Sequence, residues 1–158
     1  MTSRSDEALA ALRAELDAIE QMVRTSSDAE WSRQCPAEGW PVGLVAFHIA
    51  RGFQRQAEFI EDAQAGRGPH RFDWGDTHAL NATVAAAHPS PTREEVMALG
   101  TRSVGRIAAA LSAMTDEDLD RIAFVYEGRE RSALWVVGSL AVHHARGHRE
   151  SIASAISS

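Results

Sequence analysis

Residues 137–156 read VGSLAVHHARGHRESIASAI, and this stretch decides the fold. Val137, Leu140, His144, His148, Ile152 and Ile156 recur at intervals of three or four, the period of one face of an α-helix. Two histidines therefore interrupt an apolar stripe, which turns both imidazoles toward whatever the helix packs against. Four residues advance a helix by about 400°, so His144 and His148 project within about 40° of each other, one turn apart. His143 is turned about 100° away and belongs to the outer shell or the surface. The i, i+4 pair has the spacing of metal-chelating helices.

Three further segments share that period. Residues 6–24 carry Leu9, Leu12, Leu16, Ile19 and Val23, with Ser5 placed to cap the start. Residues 41–65 follow the loop QCPAEGW, with Pro41 at the first turn and Gly66 just past the end. Residues 92–114 open on Thr92 and Glu95 in capping-box spacing. With a last helix over 132–156, four amphipathic helices predict an all-α four-helix bundle, a single domain over 1–158. The connection over residues 67–91 is long for a bundle loop; it predicts a short extra helix near 78–87 covering one end of the bundle. IAFVY and RERS flank Glu127-Gly128 and predict a small β-hairpin. A two-stranded hairpin is not stable alone, so it must pack on the helices.

The second helix brings a third histidine. His48 follows Leu44 and Val45 on the apolar stripe, and Gly52 comes one turn later. His48 is thus expected to point inward, and Gly52 to leave open space beside it for a substrate or water. On that reading, Gly52→Leu closes the space and spares the metal. A single buried histidine is usually a hydrogen-bonded core residue. Three on two facing helices are harder to accommodate, because clustered neutral imidazoles need partners for their ring nitrogens. A metal ion supplies that partner, and three protein ligands leave a coordination position open, as catalytic sites do.

Composition excludes other chemistries. The chain has 158 residues, a formal charge of −6 and 44% hydrophobic residues. No basic stripe forms on any predicted helix, so nucleic acid is not an expected partner. All 16 basic residues are Arg, which removes Schiff-base, pyridoxal phosphate and P-loop chemistry, each dependent on a Lys amine. One cysteine, Cys35, cannot form an internal disulfide and fits a reducing cytoplasm. No apolar run approaches the roughly 18 residues of a membrane span, and MTSRSDEA lacks a signal-peptide core.

Other residues are weaker candidates. Trp40 reads as a packing anchor at a helix start, and Trp74 in FDWGD as an aromatic lid or part of a pocket mouth. Asn81 is a further pocket candidate. Asp73 and Asp76 suit capping of the short helix. Cys35 has no His near it in sequence to make it a thiolate. Arg146 and Arg149 are assigned to a solvated face, and no Asp or Glu stands clearly inward beside the histidines to serve as a general base.

Trp40 and His48 in W-x7-H spacing, together with HHARGHRESI, resemble the DinB-like superfamily, which includes mycothiol-dependent maleylpyruvate isomerases and bacillithiol transferases. The resemblance spans nearly the whole chain, with one departure: Glu150-Ser151 stands where the family often has Gly-Gln after the Arg. It implies an up-down-down-up bundle and a divalent metal, commonly Zn or Ni, held by His48, His144 and His148. It also implies a homodimer and a low-molecular-weight thiol, mycothiol or bacillithiol, as cosubstrate for S-transfer or isomerisation. An Arg- and Ala-rich composition suggests GC-rich coding and leans toward mycothiol. A Glu ligand occurs among isomerase relatives, so an all-histidine set gives isomerisation no particular support. A metal-dependent hydrolase and a non-enzymatic metal-binding stress-response bundle are the alternatives.

Overall fold

A computed structural model describes residues 2–158. In chain order the elements are α1 (Ser3–Thr25), α2 (Asp28–Trp31), β1 (Gln34–Cys35), β2 (Trp40–Pro41), α3 (Val42–Gln64), β3 (His70–Arg71), α4 (Trp74–Ala87), α5 (Arg93–Ser112) and α6 (Asp116–Asp120). The hairpin β4 (Ile122–Tyr126) and β5 (Arg129–Ser132) follows. Then α7 (Ala133–Trp135) runs through a π-helical segment, Val136–Ala141, into α8 (Val142–Ser157).

The long helices are α1, α3, α5 and the α7–α8 run, and their side-chain contacts give their directions. Arg106 of α5 pairs with Glu61 of α3, and Gly100 of α5 faces Ala50 of α3. Residue numbers rise together, so α3 and α5 are parallel. Arg146 reaches Glu15 and Gly138 packs on Ala8, so α8 is parallel to α1. Against α3 it is antiparallel, because Gly52 meets His144 while His48 meets His148. The bundle is therefore up-down-down-up, and the long connection carrying α4 is the crossover that two parallel neighbours require. Leu12, Ile19 and Val23 of α1, Ile49, Phe53 and Ile60 of α3, Ile107 and Leu111 of α5 and Ile152 of α8 are almost wholly buried. Each such side chain contributes roughly 1.5–3 kcal/mol by leaving water.

Local signals set most boundaries. Thr92 and Glu95 form the expected capping box. Asp73 caps α4 by accepting from the Asp76 amide, so this helix starts at Trp74, earlier than the 78–87 expected from the sequence. Ser5 does not cap α1. Thr2 does, accepting from the Ser5 amide, while the Ser5 hydroxyl donates back to the Thr2 carbonyl. The expected hairpin forms around Glu127-Gly128, both of which have positive φ, with Tyr126 opposite Arg129. It gains a third strand, since β3 pairs parallel to β4; two residues of strand, His70–Arg71, are too short to show period-two alternation.

The last helix departs from an unbroken α-helix. Its π-helical turn re-phases the stripe, so that Val137, Ala141 and Ala145 are buried while Leu140 is only half-buried. Such turns occur often at functional sites, and this one immediately precedes the two histidines.

Candidate metal centre

His48 projects from the middle of α3, and His144 and His148 project one turn apart from α8. Each offers a ring nitrogen within 4.8 Å of the others. His48 Nε2 and His144 Nε2 are 3.1 Å apart, and the His48 and His148 rings meet edge-on with centroids 4.7 Å apart. His143 is exposed. Among the described residues, no Cys, Asp or Glu completes this group.

Burial pushes the His144 ring down to about 3 and the His48 ring down to about 4, from an ordinary 6.5, and the neighbouring histidines press both in the same direction. Both imidazoles are thus neutral at physiological pH, the state in which a ring nitrogen can be a ligand. His144 Nδ1 is buried with no hydrogen-bond partner among the described residues. Two ligands at a Zn–N distance of 2.0–2.1 Å in tetrahedral arrangement lie about 3.3 Å apart, close to the 3.1 Å seen between the two Nε2 atoms. Donor type, charge state and spacing all fit a divalent cation.

The space around the trio differs from the sequence expectation. Gly52 opens no room for a ligand: a Cβ there would lie 2.6 Å from His144 Cε1 and 2.7 Å from Nδ1. The room left by the missing side chain is filled by His144 itself, so a leucine at 52 would displace a member of the trio. Trp40 lies edge-on to His48 at 5.5 Å between centroids, and thus anchors the helix start against the site. Trp74 is 53% exposed and packs on Phe72, His78 and Tyr126, with no ring contact to the trio. Asn81 is half-exposed on α4, a helix with no buried residue.

Two acidic residues were not legible as partners. Glu38, in the loop between β1 and β2, accepts from His148 Nδ1 at 2.8 Å through Oε1 and from the Ser151 hydroxyl at 2.7 Å through Oε2. So a carboxylate does stand beside the histidines, contrary to expectation, but a loop supplies it and helical periodicity has nothing to say about loops. Glu15 of α1 is 4% exposed and accepts from Arg146 and Arg149. Burial alone would raise its pKa, yet the hydrogen bonds from Arg149 and Arg146 more than offset this and hold it below the usual range. The two arginines are therefore braces between α8 and α1, and their assignment to a solvated face fails for their guanidinium ends. Cys35 is fully buried and its thiol is pushed up to about 11 by burial and by Glu38, which rules it out as a thiolate nucleophile.

An up-down-down-up helical bundle with a three-histidine cluster able to hold a metal, built between its second and last long helices, is the class these features define. The chain belongs to the DinB superfamily, whose family model matches residues 7–152. Among solved structures, it is similar to YfiT from Bacillus subtilis, a probable metal-dependent hydrolase with an unusual four-helix bundle topology. That match has a TM-score of 0.77 at 17% identity and covers 98% of this chain and 87% of that one. It is also similar to the mycothiol-dependent maleylpyruvate isomerase, with a TM-score of 0.73 at 16% identity, covering 96% of this chain and 63% of the isomerase. At these identities the likeness is one of fold. No curated protein matches by sequence.

Proposed function

We propose that this protein is a metal-dependent enzyme in which His48, His144 and His148 hold one divalent cation, Zn or Ni, and that it activates a low-molecular-weight thiol for transfer to, or isomerisation of, an electrophilic small molecule. The carrying observation is the meeting of three ring nitrogens from two helices with no fourth protein ligand among the described residues. A cation in such a site supplies Lewis acidity, favouring the anionic form of a thiol or water brought to its open position. The chain's own residues do the rest. Half-buried His48 and His144 have their pKa values lowered by desolvation and stay neutral, each keeping a ring lone pair available. Trp40 packs edge-on against the His48 ring and helps to orient it. Glu38 accepts one hydrogen bond at each oxygen, from His148 and from Ser151, and so ties the loop between β1 and β2 to the histidines. The name of the isomerase relative supports mycothiol as that thiol; bacillithiol fits the same chemistry.

A second reading, metal-dependent hydrolysis, is favoured by the likeness to YfiT. We place the protein in the cytoplasm as a homodimer, acting as one domain, with small molecules as partners and neither nucleic acid nor membrane. The buried, unpaired Cys35 is consistent with a reducing compartment, and among the described residues no helix is long and apolar enough to cross a membrane.

The test is thiol titration of Co- or Ni-substituted protein. Mycothiol or bacillithiol should produce sulfur-to-metal charge-transfer absorption that His144→Ala lacks, and the protein should consume thiol in the presence of an electrophile. Metal-loaded protein that ignores mycothiol, bacillithiol and glutathione yet cleaves an ester or amide would move the assignment to the hydrolase. Inertness in both assays would leave the non-enzymatic metal-binding bundle.

A further inference from the structure

We propose that Glu38 is the positioning residue of this centre, fixing which nitrogen His148 presents to the cation; the proposal rests on the metal reading above. Glu38 Oε1 is 2.8 Å from His148 Nδ1, and the Glu38 side chain is only 11% exposed. An ionised carboxylate accepts hydrogen bonds and donates none. Nδ1 is therefore the donor to Glu38, and Nε2 is the nitrogen left to meet a cation. A neutral imidazole without such a partner is free to exchange tautomers, and half of its chemistry would then be wrong for binding.

Glu38 is itself held. Ser151 donates to Oε2 at 2.7 Å, and Ser151 lies three residues beyond His148, so one face of α8 carries both the ligand and the group that orients the ligand's partner. The loop is fixed from its other end by the β1–β2 pairing, with Cys35 opposite Trp40, and by the Gly39 amide donating to the Cys35 carbonyl at 2.9 Å. Gly39 has φ of 70°, the left-handed conformation that lets the chain turn directly after Glu38. A carboxylate in this position also raises the basicity of the ligand, and loss of such outer partners lowers metal affinity about 10- to 100-fold in other sites. Glu38 touches His148 and Ser151 rather than the reacting atoms, so its part is positioning, not proton transfer.

The experiment combines two readouts on the full chain. In metal-free protein with 15N-labelled histidine, long-range 1H–15N spectra should show that the neutral form of His148 carries its proton on Nδ1. Glu38→Ala should lose that bias, and Glu38→Gln, which keeps an acceptor oxygen, should partly restore it. Zinc affinity, by competition with a chromophoric chelator, should fall about 10- to 100-fold in Glu38→Ala and less in Glu38→Gln. Ser151→Ala leaves the β1–β2 loop intact and should give a smaller loss in the same direction, which keeps the test open if Glu38→Ala folds poorly. An unchanged His148 tautomer in Glu38→Ala, or zinc affinity within about twofold of wild type in both Glu38→Ala and Ser151→Ala, would overturn this proposal alone. Wild-type protein that binds no zinc would overturn the metal reading and this proposal with it.

Discussion

Gly52 lies directly against the His144 imidazole, so that a Cβ at 52 would come within 2.6 Å of Cε1. Two helices approach here because one of them has no side chain. Gly52→Ala leaves the helical backbone unstrained and gains helix propensity of about 1 kcal/mol, but it overpacks the ring, at a cost of about 1–3 kcal/mol. The expected result is a small change in melting temperature together with at least a tenfold loss of metal affinity. Alanine at 52 with wild-type affinity would show that the His144 ring has room to move.

Histidine pairs distinguish the site from its surroundings. One divalent cation per chain is expected by elemental analysis of untagged protein. His144→Ala should release most of it, while His143→Ala should retain it, since His143 is exposed and its neighbour His144 is one of the trio. Chelation should lower the melting temperature by mass action without unfolding the bundle, because the apolar core does not depend on the ion. Complete unfolding in chelator, followed by circular dichroism, would recast the site as structural.

Acid should destabilise the metal-free protein earlier than its carboxylates require. His48 and His144 have folded-state values of about 4 and about 3 against an ordinary 6.5. Between 6.5 and those values the unfolded chain binds more protons than the folded one, so stability falls as pH falls through that window and is unaffected above it. Each group contributes a slope of up to about 1.4 kcal/mol per pH unit. Urea unfolding from pH 7.5 to 4.5 should show this slope, and the double variant His48→Gln, His144→Gln should flatten it. A flat wild-type profile above pH 5 would refute the burial of the two rings.

The brace between α1 and α8 sets stability more than chemistry. Glu15 is buried while Arg146 and Arg149 keep 47% and 29% of their side chains exposed, so the arginines can re-solvate when the carboxylate is removed. Glu15→Ala is therefore expected to cost about 1–3 kcal/mol, less than the loss of a fully buried pair. Chemical denaturation measures it directly. A change within about 0.5 kcal/mol would place the three side chains among surface ion pairs of little net value.

Periodicity alone determined the four long helices, because burial of one face against another is imposed locally, residue by residue, along each helix. The same logic placed His48, His144 and His148 on inward faces, and capping chemistry placed the start of α5, while α4 begins four residues before the expected 78. What the sequence left undetermined are relationships between segments far apart in the chain. Glu38 reaches His148 across 110 positions and Glu15 reaches Arg149 across 134, and neither a loop carboxylate nor a lone acid on an amphipathic helix announces its partner. Gly52 misled for the same reason: a missing side chain signals space, and only the packed antiparallel pair shows that His144 fills it. The π-helical turn in residues 136–141 was equally hidden, since its apolar residues satisfy a 3.6 period almost as well as a wider one. Local patterning specified the elements and the ligand faces, while helix register and loop closure decided which groups hold those ligands in place.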